Sequence, residues 1–317
     1  MSNAVLFGCI AQLNNTVMNV CCKKCLGVFF ILLTNLPFLT TSAQQVKRPP
    51  ITGIAFVELR VSDIKKANNF YHAVLGYGVT TSKPRPGKKL YSAVIRVNQR
   101  QSIKIQDGLP AGQDERLLCL AFQTTDAEAM RLYLQSKAVT VPAAVNKEEG
   151  VSSFTVTDPD KHPVKFVQYV ANAKLQPAHV SGDNAISRRI LHAGLTINSA
   201  RAANTFYGDI LGFSEIWKGG STDSITSWIN MRVPDGTDYL EYMLVNGPVN
   251  RQQLGSLHHI ALMVPDMQQA VDLLSIRSLS TGYPVAVPRI GRNNRWQLNL
   301  FDPDGTRIEL MEPFTMR

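Results

Sequence analysis

The chain has 317 residues, room for two ordinary domains with cores of their own, and its 44% hydrophobic content is that of a folded protein rather than a disordered one. Net charge is +9, partly from Lys23 and Lys24 near the N-terminus, and no Lys/Arg run of the kind that grips nucleic acid occurs; Lys47-Arg48 and Lys88-Lys89 are isolated pairs. Composition thus argues against a nucleic-acid-binding protein, and the basic excess reads as a solvated surface.

Residues 1–43 read as a signal peptide. Lys23-Lys24 precede an apolar stretch over 26–39, and Thr41-Ser42-Ala43 offers small residues to a signal peptidase. Asn35 and Pro37 interrupt the stretch, which argues against a spanning helix. Either Met1 or Met18 serves as the start. The expectation is export to a bacterial periplasm, with no membrane attachment after cleavage. Cys9, Cys21, Cys22 and Cys25 all fall inside this leader, so the redox-like spacing Cys22-Lys-Lys-Cys25 is discounted. Cys119 is left alone, without an intramolecular disulfide, and is expected to pack as a small buried hydrophobe.

Residues 44–51 form a polar, Pro-containing arm. From 52 to 170, strands are predicted near 54–61, 90–97, 101–106, 117–123, 152–157 and 164–169, with helices near 63–75 and 126–137. A polar linker spans 171–188. From 189 to 317, strands are predicted near 190–197, 225–232, 238–245, 257–264, 296–301 and 306–312, with helices near 199–211 and 266–276. Asp235-Gly236 and Asp304-Gly305 are tight-turn signals between strands. Helices mixed with a hairpin-rich sheet give an α+β protein.

The two regions are copies of one design. Asn69-Phe70-Tyr71 with Leu75-Gly76-Tyr77 matches Thr205-Phe206-Tyr207 with Leu211-Gly212-Phe213, and Thr157-Asp158-Pro159-Asp160 matches Phe301-Asp302-Pro303-Asp304. Each copy contains a finer repeat: a short apolar strand, an amphipathic helix and three alternating strands, twice. Ile54 and Leu117 open the two units of the first copy, Ile190 and Leu257 those of the second. That makes four βαβββ units.

Four equivalent positions separate the copies. The second copy holds His192, Glu241, His259 and Glu309; the first holds Phe56, Lys104, Cys119 and Lys165. Two imidazoles and two carboxylates, each on its own strand, form a typical ligand set for one divalent metal ion, with Zn, Ni, Co, Mn and Fe all compatible. The first copy is expected to bind none. Within it, Glu58 shares a face with Phe56, so a Lys–Glu58 pair can replace the metal as polar filling, or the lysines can reach out to the mouth of the sheet. His258 beside His259 is expected to face away. His72, His162 and His179 are expected to be surface residues on a helix, a turn and the linker.

His192-Ala193-Gly194-Leu195, Asn204-Thr205-Phe206-Tyr207 with Leu211-Gly212-Phe213, His259-Ile260-Ala261-Leu262, and Asp302-Pro303-Asp304-Gly305 with Ile308-Glu309-Leu310 resemble the vicinal oxygen chelate (VOC) superfamily. Glyoxalase I, extradiol dioxygenases, methylmalonyl-CoA epimerase and fosfomycin-resistance proteins belong to it. The resemblance covers nearly everything after residue 50. It implies two tandem VOC domains, each a curved mixed sheet of two βαβββ modules round a cavity, with one His and one Glu from each module of the second copy meeting at the metal.

The full ligand set is similar to that of glyoxalase I. By that resemblance the substrate is a small molecule with vicinal oxygens, Glu309 is the general base, and Glu241 is a ligand or second base. The chain departs from glyoxalase I where glutathione would be held: Thr196 stands where an Arg is expected and Val245 where an Asn is expected. An extradiol-type dioxygenase is the alternative, with His192, His259 and Glu309 as iron ligands. It would call for an acid–base histidine and a tyrosine on strands at the site, yet no histidine lies between 260 and 317 and Tyr283 falls in a loop. A non-catalytic module of the bleomycin-sequestering type is a third reading, and the retained ligands speak against it. Arg292, Arg295 and Trp296, in the loop before the last strands, are candidate substrate contacts. A homodimer is compatible with the sequence.

Overall fold

The computed structural model describes residues 46–314 apart from 83–89, 111, 113, 114, 149, 171–183, 248, 250, 285 and 286. The leader, most of the linker and His179 lie outside the described residues. The first copy runs β1 (Ile51–Val61), α1 (Ile64–Asn69), β2 (Val79–Ser82), β3 (Ser92–Arg96), β4 (Ser102–Asp107), β5 (Leu117–Thr124), α2 (Ala127–Ser136), β6 (Asn146–Glu148), β7 (Val151–Thr157) and β8 (Pro163–Tyr169). The second runs β9 (Ile190–Ile197), α3 (Ala200–Ala203), β10 (Ser214–Gly219), β11 (Trp228–Arg232), β12 (Tyr239–Leu244), α4 (Arg251–Leu257), β13 (His259–Met263), α5 (Met267–Thr281), β14 (Arg289–Ile290), β15 (Trp296–Phe301) and β16 (Arg307–Met311).

Each copy is one eight-stranded sheet of the same order, β2-β3-β4-β1-β5-β8-β7-β6 and β10-β11-β12-β9-β13-β16-β15-β14. In each, the first strands of the two units pair antiparallel at the centre, and each is flanked by the parallel last strand of its own unit. The four units are therefore βαβββ, as the repeat implies, in an α+β fold of two tandem VOC-type sheets.

The two opening helices begin at side-chain caps. Asp63 accepts from the Lys65 and Lys66 amides, and Ser199 from the Ala202 amide. Both helices finish in a π-helical stretch, Phe70–Val74 and Asn204–Ile210, rather than in the regular helix expected from their periodicity. The wide turn places Phe70 and Tyr71, and Phe206 and Tyr207, in the core together.

The differences from the sequence expectation lie at edges. β2 and β10 flank the sheets with largely exposed, mixed-polarity residues, and β6 and β14 are only 3 and 2 residues long, so none carries a clear alternation. Residues 251–257 are a helix, and the strand expected from 257 starts at His259. α5 runs on to Thr281, where Gly282 at φ 68° ends it.

Residues of both copies build one continuous core, and Gln45–Arg317 form one compact unit. Phe122 of the first copy meets Phe213 of the second edge-on at 5.2 Å. Buried Asp238 accepts from the Ile54 amide at 2.9 Å and from Gln101 at 3.0 Å, and is paired with Arg189.

His162 corrects its surface assignment. It is buried, with Nδ1 2.9 Å from Asp158 and Nε2 3.3 Å from the Thr196 hydroxyl. That hydroxyl lies 2.8 Å from Nε2 of His258, whose Nδ1 is 3.0 Å from Glu115. The chain Asp158–His162–Thr196–His258–Glu115 thus stitches the two copies together. Among the described residues no helix is long and apolar enough to cross a membrane.

Candidate metal centre

β9 is buried along its whole length. Ala193, Leu195 and Ile197 join the main core, and strand alternation turns His192 and Gly194 the other way. The register then explains the convergence. Across the sheet, Glu241, Gly194 and His259 lie on one rung, and His192, Ala261 and Glu309 on the next. Two ligands per rung flank a small residue, so four side chains distant in sequence point at one place.

All four side chains are buried: His192 is 0% exposed, His259 2%, Glu309 5% and Glu241 8%. One ligand atom from each lies within 4.8 Å of all the others. The two Nε2 atoms are 3.0 Å apart; from Nε2 of His259 to the Oε2 atoms of Glu241 and Glu309 the distances are 3.2 and 3.6 Å, and from Nε2 of His192 they are 3.8 and 3.4 Å. Ligand bonds of about 2.1 Å at octahedral or tetrahedral angles produce ligand–ligand separations of about 3.0–3.4 Å. The cluster therefore fits one small divalent cation, which would also balance two buried carboxylates.

The ring orientations are set locally. His259 Nδ1 lies 3.0 Å from the Leu257 carbonyl and 2.6 Å from Nη2 of Arg307. The His192 ring stacks on Tyr239 with centroids 4.5 Å apart, while its Nδ1 finds no hydrogen-bond partner among the described residues. Burial, then Arg307 and His192, hold the His259 pKa well below the usual imidazole range, so the ring is neutral, as a ligand must be. Burial pushes the Glu309 carboxyl up, but the His192 contact and the Arg307 charge outweigh it and leave its pKa below the ordinary value.

A cavity of about 670 Å³ opens against Glu241 and Glu309. Trp217 and Trp228 line it together with Arg289, Arg292, Arg307 and Asn299. Of the expected substrate contacts, Arg292 lines it, ion-paired with Asp223. Arg295 and Trp296 are not among the lining residues. β15 pairs with β14 on one side and with β16 on the other, where Asn299 faces Glu309, so Gln297 and Asn299 turn to the cavity while Trp296, on the opposite parity, packs on the core. The sequence reading missed Arg307, although it lies two residues before Glu309 on the same strand face. It also missed Trp217 and Trp228, which sit on and next to an unrecognised edge strand. Thr196 has its hydroxyl committed to the inter-copy chain.

The first copy repeats the same ladder with other side chains. Phe56 faces Ala121, as His192 faces Ala261, and Ala121 is beside Lys165 as Ala261 is beside Glu309. Glu58 lies between Lys104 and Cys119, as Gly194 lies between Glu241 and His259. The Lys104 ammonium sits 3.6 Å from the Phe56 ring centroid and that of Lys165 5.7 Å from it. Cys119 is buried, and burial pushes its thiol up to about 12, which makes it a packing residue.

The sequence matches the model of the Glyoxalase/Bleomycin resistance protein/Dioxygenase superfamily over residues 53–166 and 189–310, and the chain belongs to this superfamily. No curated protein matches it. Among solved structures it is similar to homoprotocatechuate 2,3-dioxygenase from Arthrobacter globiformis, at 20% identity and a TM-score of 0.62, over 84% of this chain and 80% of that one. The same enzyme from Brevibacterium fuscum in complex with 3,4-dihydroxyphenylacetate matches at 20% identity and a TM-score of 0.60, over 84% and 82% of the two chains. An extradiol ring-cleaving dioxygenase from B. fuscum matches at 21% identity and 0.62, over 84% and 73%. At these identities the likeness establishes the fold.

Proposed function

We propose that the second copy is a divalent-metal enzyme centre for a small substrate with vicinal oxygens, acting as a glyoxalase-like lyase, isomerase or epimerase. The observation that carries it is the convergence of four buried ligand atoms, two of them from carboxylates that line a cavity. An ion held by His192, Glu241, His259 and Glu309 supplies Lewis acidity toward two neighbouring substrate oxygens. Glu309 is ionised and borders the cavity, so it is placed to take a proton from one substrate carbon and return it to the next; Glu241 is the second candidate. Trp217 and Trp228 offer flat apolar faces to the rest of the substrate. Export by the leader is proposed on the sequence alone.

Extradiol ring cleavage is the second reading. In its favour is the fold shared with homoprotocatechuate 2,3-dioxygenases over 84% of this chain. Against it are Glu241, a fourth protein ligand beyond the two-His, one-carboxylate set, and a cavity whose described lining contains neither His nor Tyr. Tyr283 is engaged elsewhere, its hydroxyl bonded to the backbone of Phe301. The experiment is turnover of the metal-loaded protein on α-hydroxycarbonyl, acyl-CoA and catechol substrates in deuterated water. Deuterium at the substrate carbon supports proton transfer; a ring-opened, oxygenated product supports the second reading.

A further inference from the structure

Nδ1 of His259 has two neighbours that make opposite demands. The Leu257 carbonyl, at 3.0 Å, can only accept a hydrogen, and the Arg307 guanidinium, at 2.6 Å, can only donate one. An imidazole nitrogen carries either a hydrogen or a lone pair, so the two contacts exclude each other as hydrogen bonds. With the hydrogen on Nε2, the ring donates toward Glu241 at 3.2 Å and accepts from Arg307. With the hydrogen on Nδ1, it donates to Leu257, and Nε2 presents a lone pair to the centre. Only the second tautomer can ligate a metal.

We propose that Arg307 is the group that yields, and that loading the centre releases its guanidinium to bind an anionic group of the substrate. The inference rests on reading the four residues as a metal centre. The ring stays neutral throughout: one hydrogen leaves Nε2 and one is taken up on Nδ1. Arg307 lines the cavity beside Glu309, and its Nε is buried without a hydrogen-bond partner among the described residues. Arg292 is already matched by Asp223, and the charges of Glu241 and Glu309 belong to the ion. A carboxylate or similar anion on the substrate thus answers the cationic N–H donor that the tautomer change sets free. Binding is ordered: metal first, then the anion.

The test uses the full chain, stripped by a chelator and then loaded with zinc. Nitrogen NMR of the imidazoles should show His259 passing from the Nε2–H to the Nδ1–H form. Benzoate, followed by fluorescence of Trp217 and Trp228, should bind the zinc form but not the stripped form, and benzamide neither. Arg307→Met should weaken benzoate binding about tenfold, the worth of one charge-assisted hydrogen bond, while its zinc affinity stays equal or rises because a competitor for Nδ1 is gone. His259 keeping one tautomer in both forms overturns the proposal. So does benzoate binding that remains as zinc-dependent in Arg307→Met, since the ion itself would then be the anion site. A chain that takes up no zinc overturns instead the metal-centre reading beneath it.

Discussion

The imidazole of His259 occupies the space that a side chain on Gly194 would need: a Cβ built there overlaps both Cε1 and Nδ1 of that ring. No repacking of a flexible tip relieves this contact, because the ring is held by Leu257 and faces the other ligands. The first copy shows the converse. Cys119 replaces the histidine and Glu58 replaces the glycine, so the constraint vanishes with the ring that imposes it.

Gly194→Ala should therefore damage the centre more than the fold. Displacing His259 should lower zinc affinity by at least about tenfold, the usual scale for disturbing what orients a ligand. A zinc titration beside a circular-dichroism melt checks this. Unchanged affinity would mean that the ring is free to move aside.

Glu309→Gln keeps the size and a ligating oxygen but removes the basicity. Turnover should fall by roughly 10²–10⁴-fold, the range of a lost general base, while metal content falls only in part because His192, Glu241 and His259 remain. Solvent-deuterium exchange at the substrate carbon is the measurement. Exchange that persists in the variant moves the base to Glu241.

Thr196→Val removes the hydroxyl between His162 and His258 and leaves two buried imidazole nitrogens unsatisfied. The expected cost is about 1–3 kcal/mol of stability, measured by denaturant unfolding. A neutral result would show that the inter-copy chain contributes little to joining the copies.

Asp302 provides the pH dependence. Burial first, and the charge of Asp304 besides, raise its carboxyl from 3.8 to about 6. One oxygen accepts from the amides of Asp304 and Thr306, and the other has no hydrogen-bond partner among the described residues. Between pH 3.8 and about 6 the folded chain keeps a proton that the unfolded chain has lost. Stability therefore falls as pH rises through that window, and the penalty is complete above it. Asp302→Asn keeps the acceptor and cannot ionise, so it should stabilise the protein by about 3 kcal/mol at pH 7.5 and by little below pH 4. Parallel melts across that range decide; a gain independent of pH would assign the effect to something other than ionisation.

Strands that are short, nearly continuous apolar runs, such as 117–123 and 190–197, were legible in the sequence because a central strand buried on both faces demands that pattern. The four site positions were legible because a duplicated chain supplies its own alignment, and the observed ladders pair Phe56, Lys104, Cys119 and Lys165 as they pair His192, Glu241, His259 and Glu309. What was not legible depends on long-range placement. β10 is an edge strand whose residues are mostly exposed, so its composition gives little away, and with it went Trp217. Trp296 was misassigned because the hairpin that sets its parity involves a 2-residue strand. His162 looked like a turn residue and directly follows the turn over 158–161; its burial comes from the other copy, through Thr196 and His258.

We propose one metal ion per chain, held by the second copy alone. Elemental analysis of the full chain, purified without added metal and again after zinc loading, tests it against two variants. The expected result is one divalent ion per chain, lost in the double variant His192→Ala/His259→Ala and untouched by Cys119→Ser. Stoichiometric metal surviving the double histidine variant, or two ions per chain in the unmutated protein, would contradict it.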